Sequence, residues 1–97
     1  MMDKKNIGVV GYGVLGARLC DAITLREQKY GDVHLLGVAK PSFDYKARIA
    51  AEVKGFPLFY AGEKNNFAGT DLKDKVNGRF VDLASQCDLV FDCATAK

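Results

Sequence analysis

Three glycines spaced as Gly11-Tyr12-Gly13-Val14-Leu15-Gly16 are the residues whose spacing points most directly to chemistry in this 97-residue sequence. Between a strand and a helix, such a Gly-x-Gly-x-x-Gly string forms a dinucleotide-binding turn. The first glycine permits a sharp exit from the strand, the second leaves room for a pyrophosphate against the backbone, and the third lets the helix pack close to the sheet. Amides of the first helical turn then face the phosphates, with the positive end of the helix dipole behind them. Gly11, Tyr12, Gly13, Val14, Leu15 and Gly16 are therefore candidate cofactor-binding residues. The string alone is a weak signal, because ten glycines in one short chain produce spaced triplets by chance. The competing reading is a tight strand-to-helix turn in some other α/β protein.

A second group bears on which dinucleotide is held. An enzyme that uses NAD ordinarily carries an acidic residue at the end of its second strand, about twenty positions past the glycine loop, to hold the adenosine 2′-hydroxyl. Here the second apolar run ends at Ala39 and continues into Lys40, Pro41 and Ser42. A cation and a hydroxyl at that place suit a 2′-phosphate. Lys40 and Ser42 thus join the candidates, and NADP is the expected cofactor, with NAD also admissible. The alternative is that Lys40 is one more solvated lysine. Thr95 comes after a later strand and is a candidate for the nicotinamide-side ribose, because ligands of open α/β sheets lie off the carboxyl ends of the strands.

No residue is assigned to catalysis or to a metal. Cys20 falls on the apolar face of the first helix, and Cys87 and Cys93 flank the last strand with no histidine nearby in sequence. All three read as packed thiols. His34 has no cysteine or carboxylate at a ligand spacing and reads as a surface or edge residue. Asp88 and Asp92, four apart and on one face, read as residues that bound the strand and cap the adjoining backbone rather than as a pair of acids.

The elements that must position these residues are set by hydrophobic periodicity. Ile7 to Val10 reads as a buried strand, and Leu15, Leu19, Cys20 and Ile23 recur at helical spacing in a helix that fades between Gln28 and Gly31. Val33 to Ala39 is a second strand, which completes a βαβ unit with parallel strands. Asp44 is a good N-cap for a second helix with Tyr45, Ile49 and Val53 on one face and Gly55 at its stop. Pro57 to Ala61 is a third strand. Residues 62 to 78 read as loop with a single helical turn, Val81 to Ser85 as a short helix, and Asp88 to Ala94 as a fourth strand. The fold class is α/β: one Rossmann-like domain over 1–97, an open parallel sheet with helices on both faces, incomplete at its C-terminal end.

Composition agrees with an ordinary soluble domain, at 48% hydrophobic and 27% charged residues. A net charge of +2 with interspersed signs gives no stripe that would track nucleic acid. No apolar run is long enough to cross a bilayer. The three cysteines lack a Cys-x-x-Cys spacing, so a reducing, cytoplasmic setting is expected.

Beyond the glycine loop the sequence resembles the N-terminal portion of archaeal-type glyceraldehyde-3-phosphate dehydrogenase. The residues that carry the resemblance are Gly11-Tyr12-Gly13 to Gly16, Arg18, Asp21-Ala22, Gly37-Val38-Ala39-Lys40, Asp44 to Arg48 with its Ala-Arg pair, Lys54-Gly55-Phe56-Pro57-Leu58-Phe59, and the stretch from Gly78 to Asp92. Two positions depart from it: Val10 stands where the family usually has asparagine, and Thr95 where proline is common. The resemblance implies the cofactor-binding domain of a phosphorylating aldehyde dehydrogenase of glycolysis and gluconeogenesis. In that reaction a thiolate attacks the aldehyde, hydride passes to the nicotinamide, and phosphate releases an acyl phosphate. The family's nucleophilic cysteine, in a Ser-Cys-Asn-Thr stretch, and its catalytic histidine have no counterpart in the sequence. The chain is therefore expected to bind cofactor without turning over substrate, and full-length members are expected to form homo-oligomers. Two other readings remain: the cofactor domain of another NADP enzyme with a similar loop, such as diaminopimelate dehydrogenase, and a stand-alone nucleotide-sensing module.

Overall fold

The computed structural model describes residues 4–41, 44–61, 69 and 73–94. Five parallel strands form one open sheet: β1 (Lys5–Val10), β2 (Val33–Lys40), β3 (Leu58–Tyr60), β4 (Val76–Arg79) and β5 (Leu89–Asp92), in the spatial order β4-β3-β2-β1-β5. The order reverses at β1, whose neighbours β2 and β5 lie on opposite sides. The carboxyl ends of β1 and β5 therefore mark the topological switch point near which open α/β sheets hold ligands.

Helix α1 (Val14–Tyr30) joins β1 to β2 and ends at Gly31, whose φ of 67° is the left-handed C-cap that glycine adopts freely. Gly16, Cys20 and Ile23 form its buried face, while Leu15 is 67% exposed, so the apolar stripe begins one residue later than periodicity places it. With Ile7 and Val9 of β1, and Leu35 and Val38 of β2, this face makes the largest core cluster.

Helix α2 (Tyr45–Arg48) starts where expected: the Asp44 carboxylate accepts a hydrogen bond from the Ala47 amide at 2.9 Å. Its continuation differs from expectation. Ile49–Val53 is a π-helical turn, in which the Lys54 amide reaches the Ile49 carbonyl five residues back at 3.0 Å. Tyr45 is at the surface and Ala47 buried before that turn begins; the wider turn then sets Ala50 and Ala51 on the buried side and leaves Val53 exposed. The small alanines let α2 lie close over Leu58 of β3.

The opposite face of the sheet carries α3 (Phe80–Ala84). Its buried Leu83 packs on Ala39 and Phe59. Gly8 and Gly37, register partners in β1 and β2, make that approach possible. A Cβ on Gly37 would come within 2.5 Å of the Phe59 ring, and one on Gly8 within 2.9 Å of the Cys87 sulfur. Helices thus cover both faces. Strand β4, preceded by a short 3-10 turn (Lys73–Lys75), lies where the sequence pattern indicates loop. Among the described residues no helix is long and apolar enough to cross a membrane.

Candidate functional site

The glycine loop leaves β1 at its carboxyl end. Gly11 has φ of 92°, a left-handed conformation that side chains resist, and its amide donates to the Ala39 carbonyl of β2 at 2.8 Å. A Cβ there would also lie 2.8 Å from the Ala94 amide nitrogen, because the segment after β5 packs directly on the turn. Gly16 is held as tightly: its Cβ would collide with the Gly11 carbonyl oxygen. Helix α1 therefore sits as close to the turn as a glycine allows.

Gly13 is different. It has an ordinary extended backbone, and the nearest heavy atom to a Cβ built on it is Lys46 Nζ, 3.9 Å away. Space is open in front of it. No side chain caps α1 at this end, and the first intrahelical bond runs from the Ala17 amide to the Gly13 carbonyl at 2.9 Å. The amides that precede Ala17 on this turn have no intrahelical acceptor, as at any helix start. Val14 and Leu15 are largely exposed. Tyr12 contributes differently from what its place in the string suggests. Its ring is 4% exposed and meets Phe56 edge-on with centroids 6.2 Å apart. Only the Tyr12 backbone belongs to the turn. Burial, with the nearby Cys20 and Asp21, pushes its phenol up to about 12, and the hydroxyl has no hydrogen-bond partner among the described residues.

A cleft of about 250 Å³ opens beside the loop. Tyr12, Gly13 and Ala17 line one side, and Lys46, Ile49 and Lys54 the other. Lys54 is paired with Asp21 at 3.3 Å. Lys46 lies half-buried on the first turn of α2 and has no ion-pair partner among the described residues. Neither Lys46 nor Lys54 stands out in the sequence. A basic residue in the first turn of a helix is unremarkable until α2 is seen to overhang Gly13.

Lys40 is the last residue of β2, one past the strand end read from the sequence, and it is not a solvated lysine: it is 6% exposed and its ammonium pairs with Asp44 Oδ2 at 3.1 Å. Asp44 is thereby engaged twice, by the Ala47 amide on Oδ1 and by Lys40 on Oδ2. Burial alone would raise its carboxyl; the Ala47 and Lys40 bonds outweigh that and hold it below its ordinary value. Ser42 and Thr95 lie outside the described residues.

The remaining titratable groups behave as structural ones. Cys20 is fully buried, and burial, together with Asp21 and Cys93, pushes its thiol up to about 12. Burial and Asp88 also raise Cys87. His34 Nδ1 lies 3.1 Å from both Glu27 oxygens, a partner hidden from the sequence because it comes from α1. Asp88 accepts from the Asn6 amide at 2.8 Å and Asp92 from the Ala94 amide at 3.1 Å, so both close backbone ends as read. Among the described residues no cluster of histidine, cysteine and carboxylate side chains could hold a metal.

No family model matches the chain. Individual proteins do. The glyceraldehyde-3-phosphate dehydrogenase of Pyrobaculum calidifontis is 40% identical over 91 residues, which is 91% of this chain and 24% of that protein. That of Methanobacterium formicicum is 34% identical over 89 residues, 92% of this chain and 25% of that protein. That of Archaeoglobus fulgidus is 31% identical over 96 residues, 99% of this chain and 26% of that protein. The chain spans about a quarter of the length of the relatives it matches. Over nearly its whole length, therefore, it is a relative of the N-terminal part of archaeal glyceraldehyde-3-phosphate dehydrogenases.

Proposed function

We propose that this chain binds a nicotinamide dinucleotide, as the cofactor-binding portion of a phosphorylating glyceraldehyde-3-phosphate dehydrogenase. The observation that carries the reading is the contrast within one loop: Gly11 and Gly16 are closed against backbone, while Gly13 faces open space beside the uncapped start of α1. A tight structural turn needs the first and third glycines but has no use for the second. A pyrophosphate needs all three. Gly11, Gly13 and Gly16 with the backbone of Tyr12, Val14 and Leu15 would form the phosphate cradle, and Thr95 would approach the nicotinamide-side ribose.

NADP is preferred to NAD in this reading. A 2′-hydroxyl calls for a carboxylate at the end of β2, and Asp44, four residues past that end, already has both oxygens engaged by Ala47 and Lys40. Lys40 and Ser42 leave that corner suited to an added phosphate, with the charge of Lys40 shared with Asp44. When bound, the cofactor supplies a hydride acceptor. What this chain supplies is the cradle and the charge. Cys20 and Cys87 are poor sources of the thiolate such a reaction needs, because burial and neighbouring acidic groups push both thiols up. The free cysteines suit a cytoplasmic setting.

Isothermal titration of the chain with NADP and NAD tests this. Both are expected to bind, NADP more tightly, and Gly13→Val is expected to weaken both at least ~10-fold while leaving the far-ultraviolet dichroism unchanged, because its side chain fills the phosphate space. Failure of the parent chain to bind either dinucleotide, or undiminished binding by Gly13→Val, would overturn the proposal.

A further inference from the structure

We propose that Lys46 is the cation that meets the pyrophosphate in this cleft, and that the Lys40–Asp44 pair acts by setting α2 so that Lys46 overhangs Gly13. This rests on the dinucleotide reading above and specifies how that site balances its charge.

Lys46 Nζ is the atom nearest to the space a Gly13 side chain would take, at 3.9 Å. The same space admits a pyrophosphate. A phosphate oxygen seated there is within a small side-chain rotation of the ~2.8 Å at which an ammonium makes a charge-assisted hydrogen bond. Charge accounting points the same way. The two acids nearest the cleft are each matched: Asp21 by Lys54 at 3.3 Å, and Asp44 by Lys40 at 3.1 Å. Lys46 makes no ion pair among the described residues and feels the Asp44 carboxylate only through space, so it is the lining cation of the cleft without a directly bonded acid. It is also half-buried, which reduces solvent screening of the charge it offers.

The placement is built from β2. Lys40 closes that strand, holds Asp44, and Asp44 caps α2 through the Ala47 amide, so the cap fixes the turn on which Lys46 sits. Lys40 is then a positioning residue for Lys46 as well as part of the corner near the 2′ position. Because Lys46 stands over Gly13, at the pyrophosphate, its contribution is common to every ligand that carries that group and does not discriminate NADP from NAD.

The test is titration of parent, Lys46→Met and Lys46→Arg chains with NADP, NAD, ADP and adenosine. Lys46→Met is expected to lose about 10-fold in affinity for NADP, NAD and ADP alike, the scale of one charge-assisted hydrogen bond, with the NADP to NAD ratio and adenosine binding unchanged. Lys46→Arg, which keeps the charge, is expected to stay within ~3-fold of the parent. Unchanged ADP binding by Lys46→Met overturns the inference and leaves the dinucleotide reading standing. So does a loss confined to NADP, which would move Lys46 to the 2′-phosphate. An equal loss for adenosine assigns Lys46 a structural role and overturns it too. If the parent binds none of the phosphorylated ligands, both fall.

Discussion

The ends of β1 and β2 lie side by side, joined by the hydrogen bond from Gly11 to Ala39, yet they prepare the site by opposite means. At the end of β1 the chain strips away side chains, so that backbone packs on backbone at Gly11 and Gly16 and a void remains at Gly13. At the end of β2 it buries a charged side chain and neutralises it from within through Asp44. The first is a matter of space and the second of charge. Backbone space is fixed by residue type, whereas the effect of a charge depends on what folds against it.

The largest expected effect separates the glycines of the first region. Gly16→Ala drives a methyl group into the Gly11 carbonyl, and because the obstacle is backbone on both sides, relief requires α1 to move. A loss of about 3 kcal/mol is expected, at the upper end for overpacking, which for a domain of this size lowers the thermal midpoint by more than ~10 °C. Gly13→Ala meets nothing closer than a lysine terminus at 3.9 Å and keeps an ordinary backbone, so its midpoint is expected to match or slightly exceed the parent's. Equal destabilisation by the two, measured by calorimetry, would remove the contrast on which the site rests.

The second region is broken from either partner, with unequal results. Asp44→Ala removes the cap of α2 and leaves Lys40 buried without its counter-charge, for an expected loss of about 2–3 kcal/mol. Lys40→Met keeps the buried stem and leaves a carboxylate that is 37% exposed and can be hydrated, so roughly 1 kcal/mol is expected. Urea unfolding of both variants checks the order. If Lys40→Met costs as much as Asp44→Ala, burial of the ammonium is not what makes the pair asymmetric. Asp44→Ala also loosens the turn that carries Lys46 and is expected to weaken ADP binding, although Asp44 itself makes no approach to Gly13.

What is legible in the sequence divides along the same line. Strands β1 and β2 and helix α1 are local: their apolar periods, the glycine turn and the Gly31 stop declare them without reference to the rest of the chain. The cap at Asp44 is legible for the same reason. Strand β4 is not. Val76-Asn77-Gly78-Arg79 holds one apolar residue and a turn-forming Asn-Gly pair, and it becomes a strand because β3 offers it an open edge. The buried face of α2 departs from its sequence period because a π turn shifts the phase of everything after Arg48, and nothing in Ile49 to Val53 announces a five-residue hydrogen bond. Lys46 is invisible and Lys40 only half-readable because each depends on how α2 docks: the sequence names the charges, and tertiary contacts decide which one is already matched.

Acid brings out the smallest difference between the two regions. Although burial pulls the Asp44 carboxyl up, its bonds to Ala47 and Lys40 bring it below the ordinary value. A carboxylate whose folded pKa lies below its unfolded value adds stability that is fully present above the unfolded pKa, near ~3.9, and is lost as pH falls through the folded one. Glu27, lowered by Lys4 and His34 against a smaller opposing effect of burial, has the same sign. At the β1 turn the close contacts of Gly11 and Gly16 are with backbone, and burial pushes the neighbouring Cys20 thiol and Tyr12 phenol up to about 12. Unfolding free energy is therefore expected to be flat from neutral pH to about pH 5 and to fall below about pH 4. Asp44→Asn should begin lower at neutral pH and show a shallower acid decline, while Gly16→Ala should lie below the parent by a constant amount across the range. Denaturant midpoints collected from about pH 2.5 to 7 distinguish these shapes. Parallel curves for Asp44→Asn and the parent would mean that the ionisation of Asp44 does not hold the end of β2 to α2, and the charge-based account of that region would have to be replaced by one based on packing.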